Sequence, residues 1–265
     1  MKKIIGMCRY SVKTAFAKDH QTDKNFSVYE EPYFSERLTL FQDITLKSFD
    51  AQNCKDFVLL VYHSDEMPKS KIEIFKNIER LHPYLRNVFV SDAKMKLPDD
   101  LQDSRILTFR IDNDDAMPCN FISKLSLYIY NRKDSYCDNV AFTIPKMRKI
   151  ARIDERLYQT QDCVVISNSM GLAYCSTNGE TVMDCGKHTK VPYNYRIQCL
   201  EGMGGLQTIH GSNVANHFGK HHYKESGVRL LSESEMQELL ISEGFPTLNI
   251  QNIPLLKGCT EFQGR

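Results

Sequence analysis

The chain has no tryptophan and no Cys-x-x-Cys pair, and its longest purely apolar run is Phe57-Val58-Leu59-Leu60-Val61. A membrane-crossing helix needs about 20 such residues, so none is expected. The start, Met1-Lys2-Lys3-Ile4-Ile5-Gly6-Met7-Cys8, is cut off by Arg9, short of the ~7–15 apolar residues of a secretion signal. Both absences predict a soluble, cytoplasmic protein. Charge of one sign is missing too: 34 Lys and Arg face 33 Asp and Glu, a formal net charge of +1. Without a basic surplus the phosphates of a nucleic acid are not an expected partner. The nine cysteines are odd in number and irregularly spaced, so free buried thiols are expected rather than disulfides or a structural zinc site.

What is present is ordinary globular material: 265 residues, 42% hydrophobic and 25% charged. The first half alternates apolar strands with amphipathic helices. Strands are predicted at Lys3–Met7, Phe57–Val61, Asn87–Val90 and Ile106–Phe109. Helices are predicted at Glu36–Phe49 (Leu38, Phe41, Thr45 and Phe49 on one face), Ser70–Leu81 (Ile74, Ile78, Leu81) and Pro118–Tyr130. That alternation builds a mostly parallel sheet flanked by helices, with ligands at the C-terminal strand edge. In the second half, shorter strands are expected at Val140–Ile144, Cys163–Ser167 and Gly171–Ser176, with a hairpin signal at Ser176-Thr177-Asn178-Gly179. A loop region from Asp184 to about Tyr223 and a capped helix at Ser232–Glu243, ended by Gly244, complete the chain. With no repeat visible, one α/β domain is expected over 1–265: a nucleotide-binding half (1–116) and an acceptor-binding half (117–265).

The sharpest feature is Arg110-Ile111-Asp112-Asn113-Asp114-Asp115-Ala116, directly after an apolar strand. Crowded carboxylates repel one another, and hard divalent cations prefer oxygen ligands. If the strand continues, Asp112 and Asp114 share a face, because side chains repeat every second residue. The alternative is that Asp114 and Asp115 cap the helix after Pro118. An EF-hand is excluded, since Ala116 stands at position five of that pattern, where a ligand belongs, and the glycine is missing.

Four segments carry a resemblance: the Cys8-Arg9-Tyr10-Ser11 strand ending; Glu36-Arg37-Leu38-Thr39-Leu40-Phe41 with Thr45–Phe49 and Gln52; Phe57-Val58-Leu59-Leu60-Val61; and the acidic stretch from Phe109 to Ala116. With Leu206-Gln207-Thr208-Ile209-His210-Gly211-Ser212-Asn213, they resemble the rhamnosyltransferase family of bacterial glycosyltransferases, of GT-A fold with an Asp-x-Asp motif. The likeness runs from Lys3 to about Phe218. The family's tryptophan before the His-Gly element is absent, and the stretch from Val90 to Arg105 is short.

The resemblance implies a nucleotide-diphosphate sugar donor, a glycan or lipid-linked glycan acceptor, and Mn²⁺ or Mg²⁺ bridging Asp114 and the diphosphate. Peripheral membrane contact would come only through such an acceptor. It further implies His210 as a metal ligand, with His188 as the second candidate. Donor contacts are implied for Arg9, Arg37, Arg110, Asp112, Asp115, Lys187 and Asn213, with Lys190 and Arg196 as further cations. The general base stays open among Asp184, Glu201 and Asp162. The pair His217 and His221 reads as solvent-exposed. Two rival classes remain: a nucleotidyltransferase making the sugar nucleotide, whose Gly-rich loop after the first strand is not matched by Gly6-Met7-Cys8-Arg9-Tyr10-Ser11, and a non-catalytic glycan- or partner-binding module.

Overall fold

The computed structural model describes residues 3–12, 28–91, 94–103, 105–130, 139–165, 169–202, 204–211 and 227–256. Its centre is a seven-stranded sheet of order β10-β6-β9-β4-β1-β2-β3. The strands are β1 (Lys3–Arg9), β2 (Val58–Ser64), β3 (Leu85–Val90), β4 (Ile106–Asp112), β6 (Val140–Thr143), β9 (Ala173–Ser176) and β10 (Arg196–Cys199). Only β9 runs against its neighbours; β10, β6, β4, β1, β2 and β3 all point the same way. Their C-terminal ends therefore line one edge.

Helices flank this sheet unequally. On one face Ile4, Cys8, Leu59, Val61, Leu107 and Phe109 pack against α1 (Tyr33–Leu40), α2 (Lys47–Asp50), α3 (Lys69–Leu81) and α4 (Phe121–Tyr130). A π-helical turn, Phe41–Leu46, joins α1 to α2. The other face, from Ile5, Met7, Leu60 and Ile106, is covered by short turns around Leu97, Leu101 and Val182 and by α5 (Val191–Asn194). Gly6 is required at the crossing of β1 and β4, where a Cβ would stand 2.6 Å from the Phe109 ring. Leu81, expected inside, is 76% exposed: the buried face of α3 centres on Phe75 and Ile78.

A second sheet, of order β12-β8-β7-β11-β5, comprises β5 (Asp115–Ala116), β7 (Lys146–Arg152), β8 (Leu157–Val164), β11 (Gly204–Thr208) and β12 (Arg229–Ser232). Ala116, Ile150, Tyr158 and Leu206 pack on Met236 and Leu240 of α6 (Glu233–Ser242). The Ser232–Glu235 capping box and Gly244, at φ +91°, bound α6 as the sequence predicts. Arg148 ties this helix to the sheet through two bonds to Glu243 (2.7 and 2.6 Å) and one to Asp162 (2.8 Å). The turn at Ser176–Gly179 forms, yet no strand hairpin follows it. The chain instead crosses to α5 and re-enters the sheet at β10. All the cysteines among the described residues are free thiols, and no described helix is long and apolar enough to cross a membrane.

One buried group makes stability depend on pH. Asn87 donates its amide to Phe75 and Glu79, so its oxygen accepts from His63 Nε2–H at 2.9 Å. Burial pushes the His63 pKa down from 6.5 to about 4, although the Asn87 bond opposes the shift. The unfolded chain thus binds the extra proton between these values, and stability rises with pH across that window. On acidification from pH 7 to 4 the expected loss from this residue is about 3 kcal/mol. Chemical denaturation against pH checks this, and His63→Phe should flatten the slope.

Candidate active site

The acidic motif does not continue β4 as an extended strand. β4 ends at Asp112, Asn113 and Asp114 form a turn, and Asp115 opens β5 in the other sheet. Asp112 and Asp114 are therefore not strand neighbours on one face. Asp112 stays with the central sheet, opposite Arg9 in register and 3.8 Å from its guanidinium. Arg110 lies two residues earlier on the same face. Burial lowers its pKa, while Asp112 favours its charge.

Helix α1, the π-turn and α2 grip the acidic turn along its length. Arg37 hydrogen-bonds Asn113 Oδ1 and reaches the Tyr33 hydroxyl at 2.5 Å. Thr45 Oγ1 donates to the Asp115 carbonyl at 2.9 Å, and Ser48 Oγ accepts from Met117 N at 3.3 Å. Gln52 donates to the Pro118 carbonyl (2.9 Å) and accepts from Ile122 N (3.0 Å). From the other sheet, Thr208 Oγ1 donates to the Asp114 carbonyl at 2.7 Å.

These grips present Asp114 to His210, whose Nε2 lies 3.0 Å from Asp114 Oδ2 with the imidazole almost wholly buried. Burial alone would raise the Asp114 carboxyl; the His210 contact and the Arg37 charge outweigh it and hold the pKa below its ordinary value. Asp115 behaves oppositely. Burial and then the charges of Asp114 and Asp112 push its pKa well up, with Arg110 opposing. Among the described residues neither carboxyl oxygen of Asp115 has a hydrogen-bond partner, nor does the buried Asn113 Nδ2. Among the described residues no group of three or more His, Cys, Asp or Glu side chains forms a cage for a metal ion.

A family profile, described as putative rhamnosyl transferase, matches residues 3–221. The chain belongs to this family. No curated protein matches it. Similar solved structures include S. aureus TarS 1-349 in complex with UDP-GlcNAc, at 12% identity and a TM-score of 0.44, covering 80% of this chain and 60% of that one. The TarS 1-349 complex with UDP gives 13% identity and a TM-score of 0.44, over 78% of this chain and 61% of that one. The chain thus spans about three-fifths of the length of these structures.

In this rhamnosyl transferase family chain, Arg9, Arg37, Arg110, Asp112, Asp114, Asp115 and His210 gather at the C-terminal edge. The remaining candidates among the described residues sit elsewhere on the fold. β9 carries the chain to the opposite edge, and Val182 N bonds Thr108 Oγ1, four residues before Asp112, or ~13 Å along the strand. Asp184 lies in that segment, its carboxylate accepting from Thr181 N and Oγ1 (2.8 and 2.9 Å). Lys187, His188 and Lys190 follow it, and Arg196 opens β10 at that same far edge. The start of this segment at Val182 and its end at Arg196 thus lie toward the edge opposite Asp114. Glu201 follows β10 on the near edge, but three strands from β4, ~14 Å across the sheet. Asp162 is engaged by Arg148. Asn213, His217 and His221 lie outside the described residues.

The reading missed the grip of Thr45, Ser48 and Gln52 on the acidic turn. The signal was available: these residues recur at three and four positions, the spacing of one helical face.

Proposed function

We propose that the chain is a metal-dependent glycosyltransferase of GT-A type, moving a sugar from a nucleotide-diphosphate donor to a glycan acceptor. Family membership supports sugar transfer. The observation that carries the finer reading is the Asp114–His210 pair at the end of β4, beside an Asp115 carboxyl and an Asn113 Nδ2 that have no hydrogen-bond partner among the described residues. An oxygen and a nitrogen donor 3.0 Å apart, next to a buried carboxylate without a donor, fit a divalent cation of the Mn²⁺ or Mg²⁺ kind. Asp114 and His210 would hold it, and when bound it would neutralise the charge that develops on the departing diphosphate.

The chain's own residues supply the rest. Arg9 and Arg110 flank Asp112 at the strand ends and offer guanidinium groups to phosphate oxygens. Arg37 keeps its charge despite burial, through Tyr33 and Asp114, and orients Asn113. Asn113 Nδ2 is then a buried donor aimed at no protein partner. As the bond from the anomeric carbon to the diphosphate oxygen breaks, negative charge grows where these donors already stand, which is how a preorganised site lowers a barrier.

Titration calorimetry with UDP, dTDP and GDP tests this. One of them should bind at least about tenfold more tightly with Mn²⁺ than with chelator, a difference of ~1.4 kcal/mol. No binding under either condition overturns the proposal. Release of pyrophosphate from a nucleoside triphosphate would favour the nucleotidyltransferase instead.

A further inference from the structure

The second sheet carries a row of polar side chains that packing alone does not explain. Asp115 pairs with Gln207, Gln207 with Lys149, and Lys149 with Gln161, in register across β5, β11, β7 and β8. Paired residues project from the same face, so these four form one line starting at the acidic turn. Their exposures are 1%, 5%, 0% and 5%. Burying such groups costs free energy unless they are satisfied, and apolar residues would have served a purely structural strand. The opposite face does use them: Ala116, Leu206, Ile150 and Tyr158 pack on α6.

Within the row, Gln207 is the member that calls for a ligand. The residue is only 5% exposed, yet among the described residues nothing hydrogen-bonds its carboxamide. Its cross-strand neighbour, Asp115, is equally without a hydrogen-bond partner on both oxygens. Two adjacent polar side chains, one amide and one carboxyl, thus project from the same face of this sheet, one of them on the residue that follows Asp114. A carboxamide offers both a donor and an acceptor, which is what a sugar hydroxyl requires and a phosphate does not.

We propose that Gln207 contacts the hydroxyls of the transferred sugar, and that the row Asp115–Gln207–Lys149–Gln161 is the wall of the sugar subsite. This rests on the reading of the acidic turn as a donor site. A hydroxyl-bonding wall discriminates strongly, because a sugar lacking the matching hydroxyl leaves the amide unpaired in a buried place. Lys149, across the strand from Gln207, keeps that wall polar and acts through its neighbours.

The test separates the sugar from the nucleotide. Wild type, Gln207→Leu and the milder Gln207→Asn are titrated, in Mn²⁺, with UDP, dTDP and GDP and with UDP-glucose, UDP-galactose, dTDP-glucose and GDP-mannose. Thermal melts confirm that each variant is folded. For the base that binds, the variants should keep affinity for the nucleoside diphosphate within about twofold. The affinity for its sugar ester should fall about tenfold, the ~1.4 kcal/mol of one lost buried hydrogen bond. In the wild type the ester bearing the matched sugar should bind more tightly than its epimer, and the variants should narrow that gap. Equal losses for diphosphate and ester, or no loss for either, overturn the inference while leaving the donor site standing. Failure of the wild type to bind any nucleoside diphosphate overturns the donor site itself, and this inference with it.

Discussion

Asp114→Asn should abolish Mn²⁺-dependent binding of the nucleoside diphosphate and reduce sugar transfer by at least about 10²–10³-fold, the loss typical when one preorganised charge-stabilising group is removed. The fold should survive. The asparagine Oδ1 can still accept from His210 Nε2–H, and the Thr208 bond is made to the main-chain carbonyl, not to the carboxylate. What disappears is the negative charge that His210 and Arg37 now hold in its ionised form. The variant should therefore melt within a few degrees of wild type while its calorimetric response to Mn²⁺ vanishes. Undiminished turnover by a folded Asp114→Asn protein would rule out a metal bridged through this residue.

The second large effect lies outside the charged residues. Gln52→Leu should destabilise the protein by about 4 kcal/mol, since two buried main-chain groups each lose a partner at ~1–3 kcal/mol apiece and the helix loses a tether. The groups are the Pro118 carbonyl and the Ile122 amide, both held by Gln52, which also donates to the Ser48 carbonyl at 2.9 Å. Leucine matches the glutamine in size, so the loss reports hydrogen bonds and not a cavity. Because Pro118 follows the acidic turn closely, metal-dependent nucleotide binding should weaken in the same variant. Denaturant titration beside calorimetry checks both, and a loss below about 1 kcal/mol, the net worth of a single ordinary hydrogen bond, would show that water or neighbours replace the amide.

The sequence was most informative where one physical cause dominated. β1, β2 and β4 are apolar on both faces because helices and turns cover them, and their β-branched and aliphatic runs are visible directly. The capping box at Ser232 is local chemistry and was equally visible. β7 was hidden for the opposite reason. Lys146-Met147-Arg148-Lys149 reads as a solvated basic segment, but Arg148 is neutralised by Glu243 and Asp162, and Lys149 is enclosed in the polar row. Those partners are far away in the chain. β5 has two residues and β11 begins with two glycines, so neither carries a period to detect. In the candidate site, the carboxylates were legible as a cluster. Their division by the turn at Asn113–Asp114 was not, because it depends on β11 arriving to pair with Asp115. Asp184, one of the open candidates for the general base, follows a strand that runs to the opposite edge of the sheet, and its carboxylate accepts from Thr181.

Consecutive strands β4 and β5 belong to different sheets, and the four-residue acidic stretch Asp112–Asp115 is the seam between them. Neither sheet contains the complete set of polar groups: one holds Arg9, Arg110 and Asp112, and the other delivers His210 and Gln207. Relative slippage of the two layers would alter the spacing of the charges without breaking a bond within either layer. Their mutual alignment is thus a quantity on which selection can act, and residues remote from any substrate, such as those joining α6 to β7, inherit a stake in it.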